Sequence, residues 1–237
     1  MARPYTLPVV GPLFEPLPYR YRNVRKVSVF CACDPEALAR FLPDEFALVG
    51  DVCEIFAMET PDAGPLGRYN EGGVVIPVKY GDEVGGHVAL EYVETDDSLA
   101  AGREIWGYPK KLAEVPISFG EDGSVEAVIR RRGVDIVAID FQPGDAAFEK
   151  PVLQPRYQIK TFPSADGSSA GTYEVIRNEV TGFVLHGRQP GKATVRLASS
   201  RQDPLAELGM RAVVGAELST YDFDLGYGEI VSTRGAG

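Results

Sequence analysis

The sequence predicts a mainly β (α+β) fold: antiparallel strands forming a barrel-like wall around an interior cavity, with few short helices. Three observations predict it. Much of the chain of 237 residues falls into short apolar runs rich in β-formers and bounded by turn residues. Helical periodicity is confined to short stretches. Strand–helix alternation, internal repeats and flexible linkers are absent, so residues 1–237 read as one domain. So many strands with alternating faces favour a closed or nearly closed barrel.

Taken in order, the first 20 residues carry Pro4, Pro8, Pro12, Pro16 and Pro18. That spacing excludes a helix and predicts an extended arm lying on the body or on a neighbouring subunit. Residues 25–33 read as a strand. Asp34 then caps a short helix with Pro35 at its first position and Ala37, Leu38, Phe41 and Leu42 as its buried stripe, ended by Pro43. Residues 52–58 and 73–79 are short strands. Residues 97–106 have helical character, which places the following lysines in a tight turn. Residues 124–130 and 133–141 form a hairpin turning at 131–133. A second hairpin joins 180–186 to 193–198 through 187–191, and residues 212–223 and 229–232 complete the set.

Hydrophobic content of 44% and charged content of 24% fit a soluble globular protein. A net charge of −10 argues against nucleic acid and anionic membrane as partners. Three cysteines, Cys31, Cys33 and Cys53, form an odd set in a chain too large to need staples, and read as free cytosolic thiols. With His87 and His186 the only histidines, no metal site is expected, and each histidine reads more readily as a packing residue than as an acid or base. The start has no charged-then-apolar leader, and no apolar stretch is long enough to span a bilayer, which predicts a cytoplasmic protein.

Known motifs fail on inspection. Residues 187–193 resemble a phosphate-binding loop, yet one residue is missing between the glycines and Ala193 stands where a hydroxyl belongs. No Gly-x-Gly-x-x-Gly follows a strand and no Gly-x-Ser-x-Gly elbow occurs. No cofactor is expected.

The lysine pair in Trp106-Gly107-Tyr108-Pro109-Lys110-Lys111-Leu112-Ala113 carries the most chemistry. An amine is nucleophilic at neutral pH only when its pKa falls well below about 10.4. Apolar surroundings lower it by penalising the ammonium, and a neighbouring cation lowers it by repulsion. Unit charges about 6 Å apart at an effective dielectric near 20 repel by roughly 3 kcal/mol, or about 2 pKa units. Full burial supplies about 3–5 units, so desolvation suffices alone. Lys111 is then free to bind a carboxylate or hold the loop, and not chiefly to tune Lys110.

The run Gly102-Arg103-Glu104-Ile105-Trp106-Gly107-Tyr108-Pro109-Lys110-Lys111-Leu112 resembles the acetoacetate decarboxylase family, a standing example of a lysine activated beside another cation. Residues 34–38, 54–58, 67–72 and 75–78 match the family in the same order, and the resemblance covers nearly the full length. It implies an antiparallel β-barrel enclosing an apolar pocket within a large homo-oligomer. It also implies that Lys110 forms a Schiff base, that Lys111 accompanies it, and that Glu54 and Glu71 are active-site carboxylates. The implied activity is that of a carbon–carbon lyase decarboxylating a small β-keto acid: an iminium on Lys110 withdraws electrons, carbon dioxide leaves, and the enamine is protonated and hydrolysed. Glu71 would shuttle protons or orient the imine, and Glu54 would hold a basic partner.

One departure concerns arginine. The family's decarboxylases place an arginine directly after Asn in the first strand, but Val24 follows Asn23 here, between Arg22 and Arg25. A strand alternates its faces, so Arg25 reaches the pocket only through a register change such as a bulge. Members without the full decarboxylase set include aldolase-dehydratases, which condense pyruvate with aldehydes through the same imine. In such enzymes a C-terminal tyrosine can serve, which makes Tyr221 and Tyr227 candidates beside Tyr108. A non-catalytic barrel that binds an apolar ligand is a third reading. Lys110 beside Lys111 and Glu71 argues against it, because a passive pocket gains nothing by burying amines.

Overall fold

In the computed structural model, which describes residues 5–145, 147–168 and 171–234, the proline-rich segment is neither helix nor strand up to Pro18. Leu7, Val9 and Val10 are exposed. The Tyr5 ring meets Phe14 edge-on at 5.7 Å, and the Thr6 hydroxyl donates to Glu104, so this arm lies on the body. Pro4 falls outside the described residues.

The first strand, β1 (Tyr19–Cys33), carries a bulge: Tyr21 pairs with Phe223 but Val24 with Tyr221, leaving Arg22 and Asn23 opposite one residue, with Asn23 at φ 53°. Beyond it, odd residues such as Val27 and Val29 enter one apolar core, while Val24 joins the second. Asp34 then caps α1 (Pro35–Ala39), its carboxylate accepting from the Glu36 and Ala37 N–H groups. The helix is shorter than expected, and only Leu38 is buried in it. Bonds from Phe41 to Leu38 and from Leu42 to Ala39 tighten its end into a turn, so Phe41 and Leu42 pack against the core from outside the helix.

The strands that follow are β2 (Ala47–Leu48), β3 (Val52–Thr60), β4 (Tyr69–Tyr80) and β5 (Glu83–Val93). Helix α2 (Asp96–Ala101) runs into a π-helical turn, Gly102–Trp106. Then come β6 (Lys110–Leu112), β7 (Ile117–Phe119), β8 (Val125–Arg131), β9 (Val134–Pro143), β10 (Arg156–Phe162) and β11 (Thr172–Asn178). The chain closes with β12 (Val180–Leu197), the two-residue β13 (Ser199–Ser200) and β14 (Asp203–Pro204), β15 (Met210–Leu225) and β16 (Glu229–Arg234).

One 14-stranded sheet runs β16-β11-β10-β5-β4-β3-β1-β15-β12-β9-β8-β7, with β2 added on β4 and β6 on β5. The mainly β, barrel-like fold is thus present as a mixed sheet: the β5–β6 and β5–β10 pairs are parallel. Its hydrogen-bond path stays open, since β16 and β7 do not pair among the described residues. The sheet nevertheless folds over itself, bringing β7 and β8 against β3.

The hairpin expected at 180–198 does not form. β12 is one strand of 18 residues, paired with β15 as far as Gly191 and with β9 from Gly191 onward. Pro190 lacks an N–H, but its carbonyl accepts from Gly144 at 3.0 Å. The glycines and proline therefore mark a change of partner and not a reversal. All three cysteines are free and buried. His87 is buried under the Phe46 ring, its Nδ1 2.9 Å from the Tyr157 carbonyl. His186 lies at the surface beside Asp222.

Candidate active site

The lysine-bearing segment is set by two glycines. Gly102 opens the π-helical turn and lies against the Lys110 stem, where a Cβ would come within 2.6 Å of Cδ. Gly107 ends that turn at φ +83°, and a Cβ there would meet the Ile159 carbonyl at 2.4 Å. Buried Trp106 is pinned by its Nε1–H donating to the Gly226 carbonyl at 3.0 Å. The tight turn thus lies at 107–109, one step before its expected place. The lysines stand on β6, where Lys110 pairs in parallel with Glu91 of β5.

Alternation on β6 sends the two lysines apart. Lys110 is buried, with Nζ 3.0 Å from Glu71 Oε2 and 3.1 Å from Ser98 Oγ, and 5.7 Å from the Tyr69 ring centre. Lys111 leaves the cavity: its Nζ lies 2.9 Å from Asp203 Oδ1 and donates to the Gln202 carbonyl. Asp203, also approached by Arg131 at 3.3 Å, is held below the usual carboxylate range by these cations and by Ser200, against its burial.

The cavity holding Lys110 has a volume of about 390 Å³. Phe56, Met58, Val88, Trp106, Phe223 and Leu225 supply much of its apolar wall. Tyr108 and Tyr221 also line it, the Tyr221 hydroxyl 3.5 Å from Met58 Sδ. Tyr227 does not reach it: that side chain is exposed, in a separate cleft with Tyr5 and Phe14. Arg25 does not reach it either. The β1 bulge turns Val24 and Lys26 toward the cavity side and Arg25 away, where it bonds Glu59 at 2.7 Å and stacks 3.6 Å from the Phe119 ring centre.

Lys26 and Arg156 supply the cations instead. Both are tied to buried Glu54, whose Oε1 lies 2.6 Å from Lys26 Nζ and whose Oε2 lies 3.7 Å from an Arg156 nitrogen. Burial would raise the Glu54 carboxyl, but Lys26 and Arg156 outweigh it and hold the pKa below the usual value. Glu54 therefore stands behind the cavity and positions its cations.

The sequence-based reading of Lys110 electrostatics is overturned. Burial does penalise the ammonium, yet the attraction of the carboxylates around it, Glu71 foremost, prevails and pushes the pKa up. The magnitudes explain why. Full burial costs a lysine roughly 4–7 kcal/mol, and one carboxylate about 3 Å away returns roughly 5 kcal/mol at an effective dielectric near 20. Burial nearly cancels against the Glu71 charge, and the hydrogen bond from Lys110 to Glu71 adds to the side of the ammonium. Glu91 itself is driven up to about 8 by burial. The sequence-based reading passed over Glu91, Arg156 and Lys26. A lone acid inside the apolar run 88–93 was the available signal for Glu91.

The site is thus a buried amine clasped by a carboxylate in an apolar, β-walled cavity. The family model described as Acetoacetate decarboxylase (ADC) matches residues 4–234. The acetoacetate decarboxylase of Acidiphilium cryptum strain JF-5 is 30% identical over 96% of this chain and 94% of its own length. The crystal structure of acetoacetate decarboxylase from Legionella pneumophila superposes with a TM-score of 0.83 at 26% identity, over 92% of this chain and 89% of that one. The enduracididine biosynthesis enzyme MppR, complexed with the condensation product of pyruvate and imidazole 4-carboxaldehyde, shares the fold at a TM-score of 0.83 and 17% identity, over 98% of each chain. The chain belongs to the acetoacetate decarboxylase family and is an acetoacetate decarboxylase-like lyase. Its relatives support activity of the acetoacetate decarboxylase type. Among the described residues, no helix is long and apolar enough to cross a membrane.

Proposed function

We propose that the protein decarboxylates a small β-keto acid through an imine on Lys110. The observation that carries the reading is the buried Lys110 amine, 3.0 Å from Glu71 and open to the cavity. Arg156 and Lys26 draw the substrate carboxylate in, held in place from behind by Glu54, while Tyr108 and Tyr221 wall the keto end. Glu71 takes a proton from the Lys110 ammonium, and the freed amine attacks the keto carbon. The carbonyl oxygen leaves as water, with Ser98 and Glu71 placed to pass the protons. The iminium then accepts the electron pair of the breaking carbon–carboxylate bond. Carbon dioxide departs, the enamine carbon takes a proton, and water releases the ketone and restores Lys110. Lys111 serves this site by anchoring β6 on Asp203. A cytoplasmic setting and a homo-oligomer belong to the same proposal.

Pyruvate aldol–dehydration through the same imine is the second reading. It is favoured by Val24 at the position where the family's decarboxylases carry arginine, and by the likeness to MppR, whose complex holds a pyruvate condensation product. Two assays separate the readings. Acetoacetate should yield carbon dioxide with the parent and not with Lys110→Ala. Absence of gas, with a new conjugated absorbance from pyruvate and an aromatic aldehyde, would replace the first reading with the second.

A further inference from the structure

Two buried carboxyl groups share the Lys110 cavity, and only one of them is occupied. Glu71 Oε2 accepts from the lysine. Glu91 stands on β5 directly across from Lys110 in the parallel ladder, it is buried, and it lines the same cavity. Its Oε2 is buried without a hydrogen-bond partner. Neighbouring strands lie about 4.8 Å apart, so a small molecule joined to Lys110 has its adjacent carbon beside Glu91.

Charge decides which carboxyl holds a proton. Lys110 faces Glu91 from β6, Glu71 and Tyr69 from β4, Arg156 from β10, Lys26 from β1, and Tyr108 from the turn before β6. Lys26 and Arg156 are committed to Glu54, and Lys110 is committed to Glu71. Two carboxylates beside one ammonium in a buried site cannot both stay ionised at low cost, so the proton settles on the group without a cation. That group is Glu91. A neutral acid with no competing hydrogen bond is suited to protonating carbon.

We propose that Glu91 is the proton carrier for the substrate carbon next to the imine. This rests on the imine reading of Lys110. In the decarboxylation direction, the enamine carbon takes the Glu91 proton: a C–H bond forms, the C=C pair returns to nitrogen as an iminium, and Glu91 becomes a carboxylate. Hydrolysis of the iminium by water releases the ketone and returns Lys110 as the ammonium. Glu91 regains its proton from solvent, the one proton that decarboxylation of a β-keto acid anion consumes overall. With a ketone or pyruvate bound, the same step runs backward, and the Glu91 carboxylate removes a proton from the carbon beside the iminium. The burial-driven rise of the Glu91 carboxyl to about 8 keeps the acid form available at neutral pH.

The test is deuterium uptake by acetone in heavy water, read beside borohydride trapping of acetone on Lys110. The parent should exchange the acetone methyl hydrogens, and Glu91→Gln should exchange them at least about 100-fold more slowly. Borohydride should still attach acetone to Lys110 in that variant, and Glu91→Asp should recover part of the exchange together with its pH dependence. Exchange by Glu91→Gln within about threefold of the parent would overturn the role of Glu91. So would loss of trapping in Glu91→Gln, which would make Glu91 a structural support, with Glu91→Met distinguishing a packing defect. Failure of the parent itself to trap acetone would instead sink the imine reading on which the proposal stands.

Discussion

Lys110 shows how a single position can answer to competing forces. Burial alone would have produced a free amine, yet Glu71 at 3.0 Å keeps it charged. An ammonium must lose a proton before it attacks, so removing carboxylates should ease that step while harming later ones. Glu71→Gln should therefore shift imine formation to lower pH and slow turnover by about 100-fold, measured as the pH profile of trapping beside that of carbon dioxide release. Lys111 should behave differently. With its amine on Asp203, Lys111→Ala should cost roughly 1–3 kcal/mol of stability by denaturant titration and leave trapping on Lys110 in place. Equal loss of trapping in the two lysine variants would contradict the separation of their faces. Glu91 has a stability signature too. Its folded pKa is raised to about 8, so its contribution is intact below the ordinary carboxyl value and is lost as pH rises through 8. Glu91→Gln should flatten the decline in stability over that window.

At the scale of elements, the segment Gly102–Trp106 and the following turn place the lysine, and Gly107 is the sensitive point. Gly107→Ala combines a φ of +83° with a clash against the Ile159 carbonyl. It should destabilise by at least about 2 kcal/mol and weaken trapping by displacing β6. His87 makes the reverse pH argument from Glu91. Burial lowers its pKa to about 4, so the stability it carries is present above about 6.5 and is lost as pH falls toward 4, by at most roughly 3 kcal/mol. Urea midpoints at neutral pH and near pH 4.5 should differ less in His87→Gln than in the parent. Elements also show where local sequence is ambiguous. The bulge at Asn23 decides that Lys26 and not Arg25 reaches the cavity, and a bulge leaves no mark in strand periodicity. Gly187–Gly191 chemistry looks like a turn in one dimension and is a handover between β15 and β9 in three.

For the molecule as a whole, the β-rich architecture was legible from runs of β-formers and Lys110 from the segment around Pro109-Lys110. Glu71 entered only through the family resemblance, because its place 3.0 Å from the Lys110 amine is a contact between distant strands. β5, β10 and β11 were not anticipated, since Gly85 and Gly86 interrupt the first and polar residues dilute the other two. Two of those strands contribute Glu91 and Arg156, so these two residues were missed with the elements that carry them, while Lys26 was missed through the bulge in β1. Contacts between strands distant in sequence create the cavity, and no local pattern encodes which side chains they bring together. Lys26, Lys110 and Arg156 gather at one cavity in a chain of net charge −10, so the cations there are a local exception to the charge of the whole molecule.

Borohydride reduction in the presence of acetoacetate or pyruvate, followed by mass spectrometry of the digested chain, tests Lys110 most directly. A reduced adduct on Lys110, absent from Lys110→Ala, is the expected result. No adduct with either compound, or an adduct carried by another lysine, would contradict the imine and leave the cavity as a binding site only.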